Sequence, residues 1–226
     1  MSKISFGKMF AVATLGVTPI AAVSIALAQG LPSPPPIMPP SLPVAHTLDL
    51  MTAVGSDAVG AKWKISEVKI VEAPNIQGTV VQATSTYTIE PQAGAADFDD
   101  SKWPTIEPKD LAARRTGGHL AFMWYRTSLT IPARLGNFDP AGSVVVLTVL
   151  VDDYAEVWVN GQLPRRLGRP SPATIQGFNM PNRVVLTEQA KADDKFQVAV
   201  FGINGPISLV PANSVWFRQA SLEFYK

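Results

Sequence analysis

Residues 143–161 read SVVVLTVLVDDYAEVWVNG. The first nine are apolar at both parities, which predicts a strand covered on its two faces. After Asp152-Asp153 the pattern alternates, with Ala155, Val157 and Val159 on one face and Tyr154, Glu156 and Trp158 on the other. Alternation of this kind marks a strand with one face in a core. Asn160-Gly161 closes it, because both residues tolerate the left-handed backbone of a tight turn. Two strands joined across a short acidic break, the first buried on both sides, belong to stacked antiparallel sheets. Val146, Leu147, Val149 and Val157 are the expected core.

Working outward, residues 120–131 (LAFMWYRTSLTI), 195–203 (KFQVAVFGI) and 215–225 (VWFRQASLEFY) read as further strands. In the last, Trp216, Ala220, Leu222 and Phe224 are expected on one face. Residues 63–71 are apolar at 63 and 65, then at 68 and 70, and this slip predicts a bulge near Ser66. Residues 84–90 and 183–186 bring the count to at least seven. Only 110–115 and 188–192 read as short helices. Seven strands without crossover helices predict an all-β antiparallel sandwich.

Residues 1–28 combine Lys3 and Lys8, an apolar run from Met9, and Ala26-Leu27-Ala28 before Gln29. This is the pattern of a secretory leader cleaved after Ala28, and it predicts a periplasmic or secreted protein with no membrane segment once the leader is gone. Residues 29–45 carry prolines at 32, 34, 35, 36, 39, 40 and 43. They read as a polyproline-type linker, and lack the flanking basic residues of an SH3 or WW ligand. Residues 46–226 are then the folded domain. The net charge of the 226-residue chain is +1, and it becomes −1 on losing Lys3 and Lys8, which argues against nucleic acid as a partner. With no cysteine, disulfides, thiolate metal sites and a cysteine nucleophile are excluded.

Several stretches follow one order: AADFDDSKW at 95–103, WYR at 124–126 in a strand ending at Ile131-Pro132, VDDYAEVWVNG at 151–161, GFNMPNRVVL at 177–186, AVFGINGP at 199–206 and VWFRQASLEFY at 215–225. The order resembles the galactose-binding-like jelly-roll module, found as the sugar-binding domain of family 2 glycoside hydrolases. It is similar too to the module preceding the propeller in bacterial gluconolactonase-type (regucalcin-like) proteins. The resemblance implies a jelly roll that binds carbohydrate. In the gluconolactonase-type proteins the propeller carries the metal ligands and the lactone chemistry. This sequence runs only to Lys226, so the expectation is an accessory carbohydrate-binding module, with a component of a gluconolactonase-type or glycoside hydrolase system acting with a separate catalytic domain, such as a propeller-type hydrolase, as the alternative.

Catalytic patterns are few. No Gly-x-Ser-x-Gly elbow occurs, and the two histidines, His46 and His119, give neither a triad nor a zinc spacing. Asp99-Asp100 and Asp152-Asp153 are adjacent pairs, which in strands point to opposite faces and so fail to converge on one glycosidic bond. They read as turn caps. No catalytic residue is expected. Asp97, Asp99 and Asp100 are the candidate ligands of a structural calcium, since that ion takes clustered oxygens.

Sugar recognition needs a ring to pack on pyranose C–H groups, with amides and charged groups for the hydroxyls. Trp124, Tyr125, Phe178 and Trp216 are available, but most aromatics of a sandwich belong to its core. Tyr154 and Trp158 share a face with Glu156 and are the expected exposed pair. Asn179, Asn182, Arg183 and Asn204 lie in strand-end loops and complete the expected sugar site. Arg165, Arg166 and Arg169 stand in a Pro/Gly-rich loop, which reads as solvated.

Overall fold

The computed structural model describes residues 42–73, 86–115, 121–163, 180–204 and 213–226, with the backbone of 165–166 and 169–170. Its strands are β1 (Val44–Asp49), β2 (Trp63–Glu67), β3 (Lys69–Ala73), β4 (Thr86–Glu90), β5 (Thr105–Ile106), β6 (Phe122–Thr130), β7 (Val144–Asp152), β8 (Tyr154–Val159), β9 (Arg165–Arg166), β10 (Arg169–Pro170), β11 (Asn182–Thr187), β12 (Lys195–Ile203) and β13 (Trp216–Tyr225). A four-stranded sheet in the order β1-β13-β7-β11 packs on a five-stranded sheet in the order β5-β2-β6-β12-β8. Every pairing is antiparallel. β3-β4 and β9-β10 form separate two-stranded ribbons. The chain is an all-β sandwich, as its alternation requires.

The core is built by the inward parities. Val145, Leu147, Val149 and Val151 of β7 meet Ala155 and Val157 of β8, Phe196, Val198 and Val200 of β12, and Met123, Tyr125 and Leu129 of β6. Gly202 on β12 lets the layers close, because a Cβ there would stand 2.6 Å from Val215 and 3.3 Å from Val151. Val146, expected in the core, is buried but has the outward parity of β7.

A second, smaller cluster occupies the outer face of the five-stranded sheet. Val68, Ala93, Trp124, Ala199 and Phe201 are its buried members, with Ile89, Phe98, Trp103 and Trp158 packed against them. The segment joining β4 to β5 and the β3-β4 ribbon supply the cover. A sheet face carrying this much apolar surface has to be covered, and the sandwich partner is on the other side.

Five local expectations are corrected. The slip near Ser66 is a change of strand, since β2 pairs with β6 in the main sheet while β3 pairs with β4. In β13 the register shifts between Phe217 and Gln219, so Phe217 enters the core and Trp216 faces out under Arg114, whose Cζ lies 4.4 Å from the ring centroid. Residues 188–192 are not helical. Ala190 donates to the Ser143 carbonyl at 2.9 Å and accepts from Gly142 at 2.8 Å, which ties the segment to the start of β7. The helix expected at 110–115 is a 3-10 turn over Pro108–Ala112, while a short helix α1 (Ala53–Ala58), capped by Thr52, was not anticipated. β1 begins at Val44, inside the stretch assigned to the linker.

Val157 is fully buried and pairs with Val200 across the β8-β12 register. An aspartate there would be a buried charge without a partner. Val157→Asp should therefore lower unfolding stability by about 3–5 kcal/mol, read as a drop in the urea midpoint. An unchanged midpoint would contradict the packing.

Candidate functional site

The outer face of the five-stranded sheet is ordered in rows across the strands. One row holds Lys64, Arg126, Ala199 and Trp158, and the next holds Ser66, Trp124, Phe201 and Glu156. A third holds Phe122, Ile203 and Tyr154. Small Ala199 between two long side chains keeps this face low between Arg126 and Trp158.

Trp158, Glu156 and Trp124 line a pocket of about 460 Å³, walled by Thr88 and Ile89 of β4, by Gln92, Gly94 and Ala95, and by Gly161 of the β8 turn. The Trp158 indole N–H donates to Glu156 Oε2 at 3.1 Å, so ring and carboxylate hold each other. The Trp124 indole donates to the Pro91 carbonyl at 2.8 Å. Gln92 Nε2 donates to Thr88 Oγ1 at 2.9 Å, placing an amide and a hydroxyl on the opposite wall. Gly94 packs on the Trp158 ring so closely that a Cβ would come within 2.7–2.9 Å of its atoms. Gly161 has φ +76°, and a Cβ there would stand 2.9 Å from the Ala96 nitrogen. Both glycines thus allow the wall to approach the rings.

The wall is held from beneath. Arg126 is 2% exposed, and its Nε donates to Asp100 Oδ2 at 2.9 Å. Its Nη1 donates to the Ala95 carbonyl at 3.0 Å and to the Ala93 carbonyl, and its Nη2 donates to Phe98 O at 3.4 Å. Lys64 Nζ donates to Asp100 Oδ1 at 2.7 Å and to the Asp100 carbonyl at 3.0 Å. Burial pushes the Asp100 carboxyl up, but the Lys64 and Arg126 hydrogen bonds outweigh it and hold the group below its ordinary value.

The expected sugar residues are dispersed. Trp158 lines the pocket, whereas Tyr154 stands two rows away, ~13 Å along the strand. Arg183 lies on the outer face of the other sheet, where Nη2 donates to Glu223 Oε2 at 2.7 Å and to the Tyr225 hydroxyl. Asn182 is buried on the inward parity of β11, its Oδ1 without a hydrogen-bond partner. Asn204 is buried and donates to the Ser214 carbonyl. Asn179, Phe178 and His119, and the side chains of Arg165, Arg166 and Arg169, lie outside the described residues.

The three aspartates are not gathered about one point, and no group of three or more His, Asp or Glu able to hold a metal occurs among the described residues. Asp100 turns both oxygens to cations, and Asp99 Oδ1 accepts from the Ser101 N–H at 2.9 Å. Those Ser101 hydrogen bonds hold the Asp99 carboxyl below its ordinary range. Asp97 is exposed. Asp99 caps a turn, and Asp100 anchors the wall through Lys64 and Arg126.

The residues that sequence reasoning missed are Arg126, Glu156, Gln92 and Gly94. Arg126 carries the clearest signal, the single charge in a mostly buried strand, which has to be paired.

The chain matches no protein-family model and no curated protein. Among solved structures it is similar to part of Bacteroides uniformis beta-glucuronidase 2 bound covalently to cyclophellitol-6-carboxylate aziridine, at 18% identity and TM-score 0.44, over 79% of this chain and 18% of that one. A beta-glucuronidase from an uncultured Clostridium sp. is similar at 15% identity and TM-score 0.31, over 73% of this chain and 29% of that one. The chain thus spans under a third of either enzyme. Similarity this slight carries no argument about the pocket.

The depressed Asp100 value has a testable sign. A group lowered on folding contributes stability that is complete above its unfolded value of ~3.9 and is lost as pH falls through the folded value. Asp100→Asn should cost on the order of 2 kcal/mol at neutral pH, because it strands the buried Arg126 charge. The gap between variant and parent should close as pH falls below ~4. Urea titrations at several pH values measure this, and a gap independent of pH would contradict the ion-pair assignment.

Proposed function

We propose that the chain is an exported, non-catalytic carbohydrate-binding module, with the Trp124/Trp158 pocket as its ligand site. The observation that carries this reading is the pairing of an indole and a carboxylate in one concave site of sugar-binding size. Rings pack against pyranose C–H surfaces, while Glu156, Gln92 and Thr88 offer acceptors and a donor to hydroxyl groups. Two tryptophans with three polar side chains around 460 Å³ suit one or two sugar rings. The leader pattern of residues 1–28 supports an exported address.

A shallow site of this kind binds weakly, with Kd roughly millimolar to micromolar, or ~4–8 kcal/mol. Titration calorimetry of the purified full chain against neutral sugars should give saturable heat. Trp158→Ala should weaken binding at least tenfold while leaving the urea midpoint nearly unchanged, and Tyr154→Ala should leave affinity within about twofold because its row is remote from the pocket. Equal loss from both variants, or undiminished binding by Trp158→Ala, would overturn the assignment of the site.

A further inference from the structure

Glu156 is the one ionisable side chain among the described residues lining the pocket. Its neighbours on the sheet face include two cations, but neither is available to a ligand. Lys64 is bonded to Asp100, and Arg126 is buried with its donors on Asp100 and on the carbonyls of Ala93, Ala95 and Phe98. Gln92 and Thr88 are neutral and bonded to each other. Among the described residues, the pocket therefore offers a bound ligand one fixed negative charge and no side-chain cation. The Trp158 N–H occupies Oε2, which orients the carboxylate and leaves Oε1 for an incoming donor.

From this geometry we infer that the pocket selects sugars bearing a protonated amine over neutral sugars and disfavours uronates, with Glu156 as the residue that sets the preference. The inference rests on the carbohydrate reading and adds the charge class of the ligand to it. An ammonium group donates a charge-assisted hydrogen bond to the carboxylate, which a hydroxyl makes only as a neutral donor. A sugar carboxylate in the same place would meet Glu156 as a like charge, in a half-buried site where screening is weak.

The test is calorimetric, with the full chain and four probes of similar shape: glucosamine, glucose, N-acetylglucosamine and glucuronate, at mildly acidic pH where the sugar amine is protonated. Glucosamine should bind roughly fivefold more tightly than glucose, the upper range for a partly exposed ion pair. N-acetylglucosamine should lack that advantage, because acetylation removes the charge, and glucuronate should bind most weakly. Glu156→Gln should bring the glucosamine-to-glucose ratio to about one. Glutamine keeps an oxygen for the Trp158 N–H, so the ring keeps its partner. If glucose binds and glucosamine has no advantage, or glucuronate binds best, the charge inference fails and the carbohydrate reading stands. If the ratio survives in Glu156→Gln, the assignment to Glu156 fails. Absence of heat from all four probes overturns the carbohydrate reading, and this inference with it.

Discussion

Arg126 lies 2% exposed on the outer face of the five-stranded sheet, and its charge has to be answered there. A buried guanidinium left unpaired costs several kcal/mol, so the chain around it is obliged to bring acceptors. It does so with one short stretch, in which the carbonyls of Ala93, Ala95 and Phe98 and the Asp100 carboxylate converge on one side chain. Four points of attachment in eight residues fix the path of that segment. The Phe98 ring lies over the guanidinium as well, 5.3 Å from Cζ to centroid. The wall of the pocket is a consequence of satisfying this charge.

The register of the sheet does the rest. β6, β12 and β8 are paired residue for residue, so Arg126 and Trp158 stand in one row with Ala199 between them. A segment pinned to Arg126 must then pass beside Trp158, and Gly94 is the residue that meets the ring. A larger side chain at that position would push ring or wall away and alter the pocket. Stability and site geometry thus share one device, which couples the acid sensitivity of Asp100 to the shape of the pocket.

Much of the fold was legible because alternation is a direct record of which face is buried. The limits of β12 were read to the residue, and those of β7 and β13 to within one. The errors came where the chain leaves that regime. The bulge after Phe217 reverses parity within β13, and no glycine or proline marks it. Residues 188–192 have helical composition, but their backbone groups bond to Ser143 and Gly142. The site was less legible. The outer-face position of Trp158 is legible because its parity opposes the core, and Tyr154 shares that parity, although a face is longer than a pocket. Local spacing shows clustered oxygens at Asp97, Asp99 and Asp100, while Lys64 and Arg126, the partners of Asp100, are distant in sequence. Asn182, Arg183 and Asn204 have the right chemistry, and the fold commits each of them elsewhere.

Of the five tryptophans, Trp124 and Trp158 alone line the pocket. Each tryptophan has its own indole N–H, so a ¹⁵N-labelled full chain reports all five separately during titration with glucosamine. Sugar binding in the pocket should move the Trp158 resonance most and Trp124 next, while Trp63 in the core and Trp216 under Arg114 stay in place. Saturable movement at Trp63 or Trp216 with Trp158 unmoved would contradict it.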